Sequence, residues 1–225
     1  AGTPAIALET LSGEAGARRM RLAIINDDMP FLVDSVAGAV STAGLVVARI
    51  IHPVVAVRRD AEGRLTDVLD RSASGERRES MIYMEMERAD ARTRRSLLSD
   101  IEAVLGDVRA AVTDWLKLQA AMADDAARLG DGEAAALLRW FLDRNFTLLG
   151  HEQRDRGGAA SAELGICRSG GMPLLAEGTL QAAIQWFGRG GRVPLIVKSN
   201  RIATVHRRVL IDLVILPVHG AAGIE

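Results

Sequence analysis

Two constellations in this chain have residue types that could do chemistry. The first is the turn Asn26, Asp27, Asp28, Met29, Pro30 and Phe31, followed by Asp34 and Ser35. It follows an alternating stretch, Met20 to Ile25, and opens a segment with Val33, Val36, Ala37 and Val40 at helical spacing. Pro30 fits the first turn of a helix, Asp28 stands where a cap would, and Gly44 stands where the helix should end. A helix N-terminus presents free N–H groups and partial positive charge, which suits a carboxylate. Asp27 and Asp28 oppose that by repulsion, and the competing reading of the turn is packing or subunit contact.

The second constellation is basic: Lys198, Asn200, Arg201, His206, Arg207 and Arg208. Such a cluster can hold a phosphate or carboxylate, or meet an acidic surface of another domain. Its plain reading is a strand edge guarded by charge. On a regular strand Thr204, His206 and Arg208 would share one face. Lys198 and Asp212 could be drawn as an acid–base dyad, but nothing in the sequence orients them. His52 and His151 lack a second nitrogen or sulfur ligand at useful spacing, so no metal is expected. Cys167, the single cysteine, reads as a small buried hydrophobe in a strand; it leaves no internal disulfide and fits a reducing cytoplasm.

The elements that must position these groups follow from periodicity. Val46 to Arg59 is a β-branched run interrupted by Pro53, hence a strand with an edge or bulge there. Leu65 to Leu69 suggests a short strand, and Ser72 to Glu79 a charged excursion. Ile82, Met84 and Met86 share one face of a further strand. A helix capped by Asp90 carries Leu97, Leu98, Ile101, Val104 and Leu105, and Val108, Ala110 and Val112 alternate as a strand after it. The resulting order is β-α-β-β-α-β over residues 18–115, an α+β ferredoxin-like module with two helices on one face of an antiparallel sheet. Residues 1–17 read as a frayed lead-in. Residues 116–145 read as two linking helices, the second behind Asp131 with Leu137, Leu138, Phe141 and Leu142 as its stripe. Residues 146–225 read as β-rich, with strands at 146–153, 163–168, 195–198, 203–207 and 210–218 and one helix near 179–187.

Composition narrows the function classes. Hydrophobic content is 48%, charged content 25% and net charge -1, so no long-range field favours nucleic acid or an anionic membrane. No apolar run is long enough to span a bilayer. The layout is also that of RNA-recognition modules, but those stack bases on sheet aromatics. Here Tyr83 stands alone among methionines and glutamates, and aromatic content is 4%. The abrupt start at Ala1 reads as a piece of something longer.

Certain stretches are more specific together than apart: Asn26 to Val36, Trp140-Phe141-Leu142-Asp143-Arg144-Asn145-Phe146-Thr147-Leu148-Leu149-Gly150, Leu164-Gly165-Ile166, and Val197 to Arg208. In this order the chain resembles the N-terminal regulatory region of the large bacterial NAD-specific glutamate dehydrogenases. The resemblance implies an ACT module in the first half and a PAS-like sheet in the second. It implies a non-catalytic regulatory or assembly segment, with NAD bound elsewhere in the parent enzyme. The implied partners are other domains and subunits of the same enzyme in a homo-oligomer, and an amino-acid effector. A passive oligomerisation scaffold is the alternative, and a free-standing nucleic-acid module a weaker one. ACT modules carry glycine after Asp-x-Pro, where backbone and ligand approach; here that residue is Phe31, whose ring would fill the space. Gly188, Gly190 and Gly191 follow a helix, the wrong context for a dinucleotide turn. Arg19, Arg21, Met81 and Tyr83 are the strand positions expected near a module–module contact.

Overall fold

The computed structural model describes residues 2–11, 19–70, 77–155, 157, 159–169, 173–191, 193–217, 219–220 and 223–224. The chain divides into two compact units: Ala1–Gly106 with Thr204–Arg207, and Asp107–Ala203 with Arg208–Glu225. Both are α+β with antiparallel sheets.

In the first unit the elements are β1 (Ala5–Leu11), β2 (Arg19–Asp27), α1 (Leu32–Thr42), β3 (Val47–Ile51), β4 (Val54–Arg59), β5 (Leu65–Leu69), β6 (Arg77–Glu87) and α2, which begins at Ala91. The sheet order is β1-β2-β6-β4-β5, with β3 also pairing β6. The central pair fixes the core register: Met20 faces Met86, Leu22 faces Met84 and Ile24 faces Ile82. These residues are buried, as are Val36 and Val40 of α1 and Leu97, Ile101, Val104 and Leu105 of α2. Alternation on the strands and helical spacing on the helices thus put their apolar residues inside, as expected from the sequence. Pro53 divides its strand into β3 and β4; having no N–H, it contributes only its carbonyl, which accepts from the Met81 N–H at 2.9 Å. Asp90 caps α2 through the Thr93 N–H at 2.7 Å.

Around the first sheet, two segments differ from the sequence reading. The alternation at Val108, Ala110 and Val112 is not a strand, because α2 runs unbroken from Ala91 to Thr113. Val108 and Ala111 are buried and extend the stripe of Leu97, Ile101 and Val104 at helical spacing, and no proline interrupts it. The place beside β2 is filled by β1, from the segment read as a frayed lead-in, in register from Ala5↔Ile25 to Leu11↔Arg19. A seven-residue strand with only Ile6, Leu8 and Leu11 as large apolar residues carries little pattern, and an open β2 edge supplies the ladder that orders it. Residues 71–76, in the expected excursion, lie outside the described residues; from Arg77 onward the excursion is already β6.

The second unit contains the end of α2, then α3 (Trp115–Leu129), α4 (Glu133–Trp140), β7 (Gly150–Arg154), β8 (Ala160–Gly165), α5 (Glu177–Gly188), β9 (Leu195–Ile202) and β10 (Leu210–Ile215). Ala126, Leu138 and Phe141 form a core with Met122, Leu129, Leu137, Phe146, Val214 and Leu216 against it. Asp131 does not cap α4: Gly132 is the N-cap with no side-chain hydrogen bond, and Asp131 pairs with Arg139 at 3.5 Å. β7–β8 and β9–β10 pair as separate two-stranded sheets. The strand expected at 203–207 is a non-regular segment instead. Among the described residues no helix is long and apolar enough to cross a membrane.

Candidate functional site

The turn before α1 is built differently from its sequence reading. Asp28 is exposed and caps nothing; its N–H donates to the Arg78 carbonyl at 3.0 Å and so prolongs the β2–β6 ladder. The helix begins at Leu32, after Pro30, and Phe31 is its N-cap with φ 71° and ψ -4° and no side-chain hydrogen bond. The Ser35 N–H donates to the Phe31 carbonyl at 3.0 Å, the first helical bond. A phenylalanine in the left-handed region is strained, and glycine is the residue that occupies it freely. At its other end α1 closes as expected at Gly44, φ 75°, whose N–H donates to Ser41 while Leu45 donates to Val40.

Asn26 is buried and donates to the Asp27 carbonyl at 3.1 Å. Asp27 accepts from Arg77 at 2.5 Å and from the Gly2 N–H at 3.2 Å. Arg77 also reaches Glu79 at 3.1 Å, and Arg59 grips both Glu79 oxygens at 2.6 Å each. Glu79 is 1% exposed. The Arg59 hydrogen bonds hold its carboxyl below the usual carboxylate range against the cost of burial. Asp27 is therefore committed to a partly buried ion network centred on Glu79. Met29 is half-buried and Pro30 exposed.

The remaining turn residues meet part of the basic cluster. Within the first unit the His206 N–H donates to Ser35 Oγ at 2.9 Å, and Ser35 is fully buried. The Phe31 and His206 rings lie 5.1 Å apart at 48°. His206 Nδ1 is 3.5 Å from Asp34 Oδ2, an ion pair when the imidazole is protonated. Val205, beside it, is 1% exposed. His206 is itself left-handed, φ 65°.

The residues of the basic cluster are divided between the two units. His206 and Arg207 belong to the first unit, while Lys198, Asn200, Arg201 and Arg208 belong to the second. Lys198 and Asp212 are cross-strand partners joined at 2.6 Å, both well exposed, so the would-be dyad is a surface ion pair of β9 and β10. Arg201 is largely buried and pairs with buried Asp107 at 3.6 Å. Asn200 and Arg207 are exposed and Arg208 half-buried. His52 approaches Ser80 Oγ, and His151 stands 3.9 Å from Asp125. Among the described residues no group of histidines, cysteines and carboxylates could hold a metal ion.

Several anchors escaped sequence reasoning. Asp114, 2% exposed, accepts from Arg168, from the Gly165 N–H at 3.0 Å and from Lys117 at 3.3 Å. The Arg168 and Gly165 hydrogen bonds hold its carboxyl down at about 2. Ser199 Oγ donates to Leu174 at 2.6 Å and accepts from the Arg201 N–H at 2.9 Å. Arg168, Gly165 and Leu174 are far in sequence from the groups they serve, so of these only Gly165, inside the Leu-Gly-Ile stretch, gave a local signal. Cys167 is buried as expected, in a 3-10 turn rather than a strand, and burial pushes its thiol up to about 12.

The glycine loop after α5 does not fit a dinucleotide. Gly190 and Gly191 donate back to Phe187 and Trp186, closing the C-terminal end of the helix, and a Cβ on Gly191 would strike the Trp186 indole. A pyrophosphate needs the opposite end of a helix.

Comparison with known proteins agrees with the resemblance read from the sequence. Residues 12–101 match the family model of the glutamate dehydrogenase ACT1 domain. The chain is similar to the NAD-specific glutamate dehydrogenase of Pseudomonas aeruginosa, 34% identical over 143 residues, covering 58% of this chain and 9% of that protein. It is also similar to the NAD-specific glutamate dehydrogenase of Halomonas elongata, 32% identical over 173 residues, covering 65% of this chain and 10% of that protein. The chain thus spans a small part of the length of these relatives.

Proposed function

We propose that this chain is a non-catalytic regulatory and assembly segment of a large NAD-specific glutamate dehydrogenase. The parent enzyme would oxidise glutamate to 2-oxoglutarate and ammonia in the cytoplasm, with NAD bound outside these residues. The match of residues 12–101 to the ACT1 domain carries this reading. The first half is taken as an ACT-like module. For the second half, a PAS-like assignment rests on sequence resemblance, its strands pairing as separate hairpins. The turn from Asn26 to Ser35 is read as a contact surface rather than an effector pocket, because Phe31 and His206 fill it. The partners are other domains and subunits of the same enzyme.

A passive oligomerisation scaffold is the second reading. It is favoured by β3, where Ile50 and Ile51 are 45% and 51% exposed beside Val46 at 66%. One experiment separates the readings. In the full-length enzyme, Ile50→Lys with Ile51→Lys should alter assembly under either. Substitutions in the Asn26–Ser35 turn should alter glutamate saturation or effector response only if the segment is regulatory. An unchanged rate law across the turn variants would leave the scaffold. Glutamate-dependent NADH formation that copurifies with the isolated chain would sink both.

A further inference from the structure

We propose that Thr204–Arg207 is a strap that docks reversibly on the first turn of α1, with Phe31, Asp34 and Ser35 as its seat. This goes beyond the regulatory reading and does not depend on which enzyme the segment serves. The strap is anchored in the first unit by Val205, 1% exposed, and by the His206 N–H donated to Ser35 Oγ at 2.9 Å. It is oriented by the ring of Phe31 and by the Asp34 carboxylate 3.5 Å from His206 Nδ1.

What makes the docking reversible is its construction. The strap is a run of bends without strand or helix, entered from Ala203 and left through Arg208, both counted with the second unit. Its contact residue His206 and the seat residue Phe31 are both non-glycine residues in the left-handed region, at φ 65° and 71°. Backbone strain of that kind persists only while surrounding contacts enforce it, and it gathers at segments that switch. His206 Nδ1 is buried with no hydrogen bond among the described residues, only the ionic approach of Asp34 at 3.5 Å, and water supplies that bond on release. The β2–β6 ladder, paired without interruption from Arg19↔Glu87 to Asp27↔Glu79, has none of these features. Release exposes Ser35 Oγ and the beginning of α1 while leaving that ladder intact.

The test is native-state hydrogen exchange on the full chain across low urea concentrations. In the unmodified protein the His206 amide should exchange at least tenfold faster than the central amides of β6, with little dependence on urea. Ser35→Ala should accelerate the strap tenfold or more and leave β6 unchanged. Asp34→Ala, at an exposed side chain that carries no folding risk, should accelerate it about threefold. Exchange of His206 in step with β6 at every urea concentration would overturn the proposal by showing a permanent part of the core. Unaltered strap exchange in Asp34→Ala, with Ser35→Ala either unaltered or globally unfolded, would also overturn it.

Discussion

Phe31 and His206 come from segments far apart in the chain, yet their rings lie 5.1 Å apart and both residues hold left-handed backbone. Each contributes surface to the other at the cost of its own strain. Phe31 thus carries a ring on a backbone conformation that glycine adopts freely.

This sets an order for two substitutions. Phe31→Gly loses the half-buried ring but relaxes the backbone, and a net cost of about 1 kcal/mol is expected. Phe31→Ala loses the ring and keeps most of the strain, so its cost should be about 2 kcal/mol. Urea midpoints of the two variants check this; an alanine variant as stable as the glycine variant would remove strain from the account.

Gly165 should tolerate no side chain. It sits at φ 59°, a Cβ there would fall on the Leu149 carbonyl, and its N–H serves Asp114. Gly165→Ala should cost about 3 kcal/mol, from left-handed strain and a backbone clash together. A melting temperature within a degree of the parent would contradict this.

Asp114 predicts a pH dependence. Its folded value, about 2, lies below the ordinary carboxylate value, so its stabilisation is fully present above about pH 4. It is lost as pH falls through about 2, where the folded carboxyl finally protonates. At pH 7 Asp114→Asn should therefore be less stable by about 2 kcal/mol, with the gap narrowing between pH 4 and 2. Chemical unfolding of both proteins at pH 7 and pH 3 reads the difference, and a constant gap would reject the assignment.

Cys167 should be silent to thiol reagents. With its thiol pushed up to about 12 and 9% of the residue exposed, almost no thiolate is present or reachable at pH 8. Iodoacetamide labelling should proceed only in denaturant, and rapid labelling of the folded chain would show that the 3-10 turn opens.

On the proposed reading of the α1 turn as a contact surface, with the Phe31 ring against His206, free amino acids should give no saturable thermal shift. A ligand at ~100 times its dissociation constant would stabilise by roughly 2.7 kcal/mol, a shift of several degrees. Such a shift with one amino acid, abolished in Ser35→Ala, would reverse the reading of the turn.

Local pattern was enough to determine much of the first unit. Alternation in Met20–Ile24 and Ile82–Met86 marked the paired core strands, Pro53 the break between β3 and β4, Asp90 and Gly44 the helix ends. These are contests among neighbouring residues, and the sequence contains all the contestants. Tertiary structure decided the rest. Val108–Val112 satisfies strand and helix periodicity alike, and only burial along the α2 stripe chose helix. Ala5–Leu11 has too weak a pattern to order itself and takes its structure from the edge of β2. The basic run from Lys198 to Arg208 looked like one cluster because it is continuous in sequence. Lys198 pairs with Asp212, Arg201 with Asp107, and His206 meets Phe31 through its ring and Ser35 through its backbone N–H, because a charge or a buried amide is satisfied by whatever lies within reach in space.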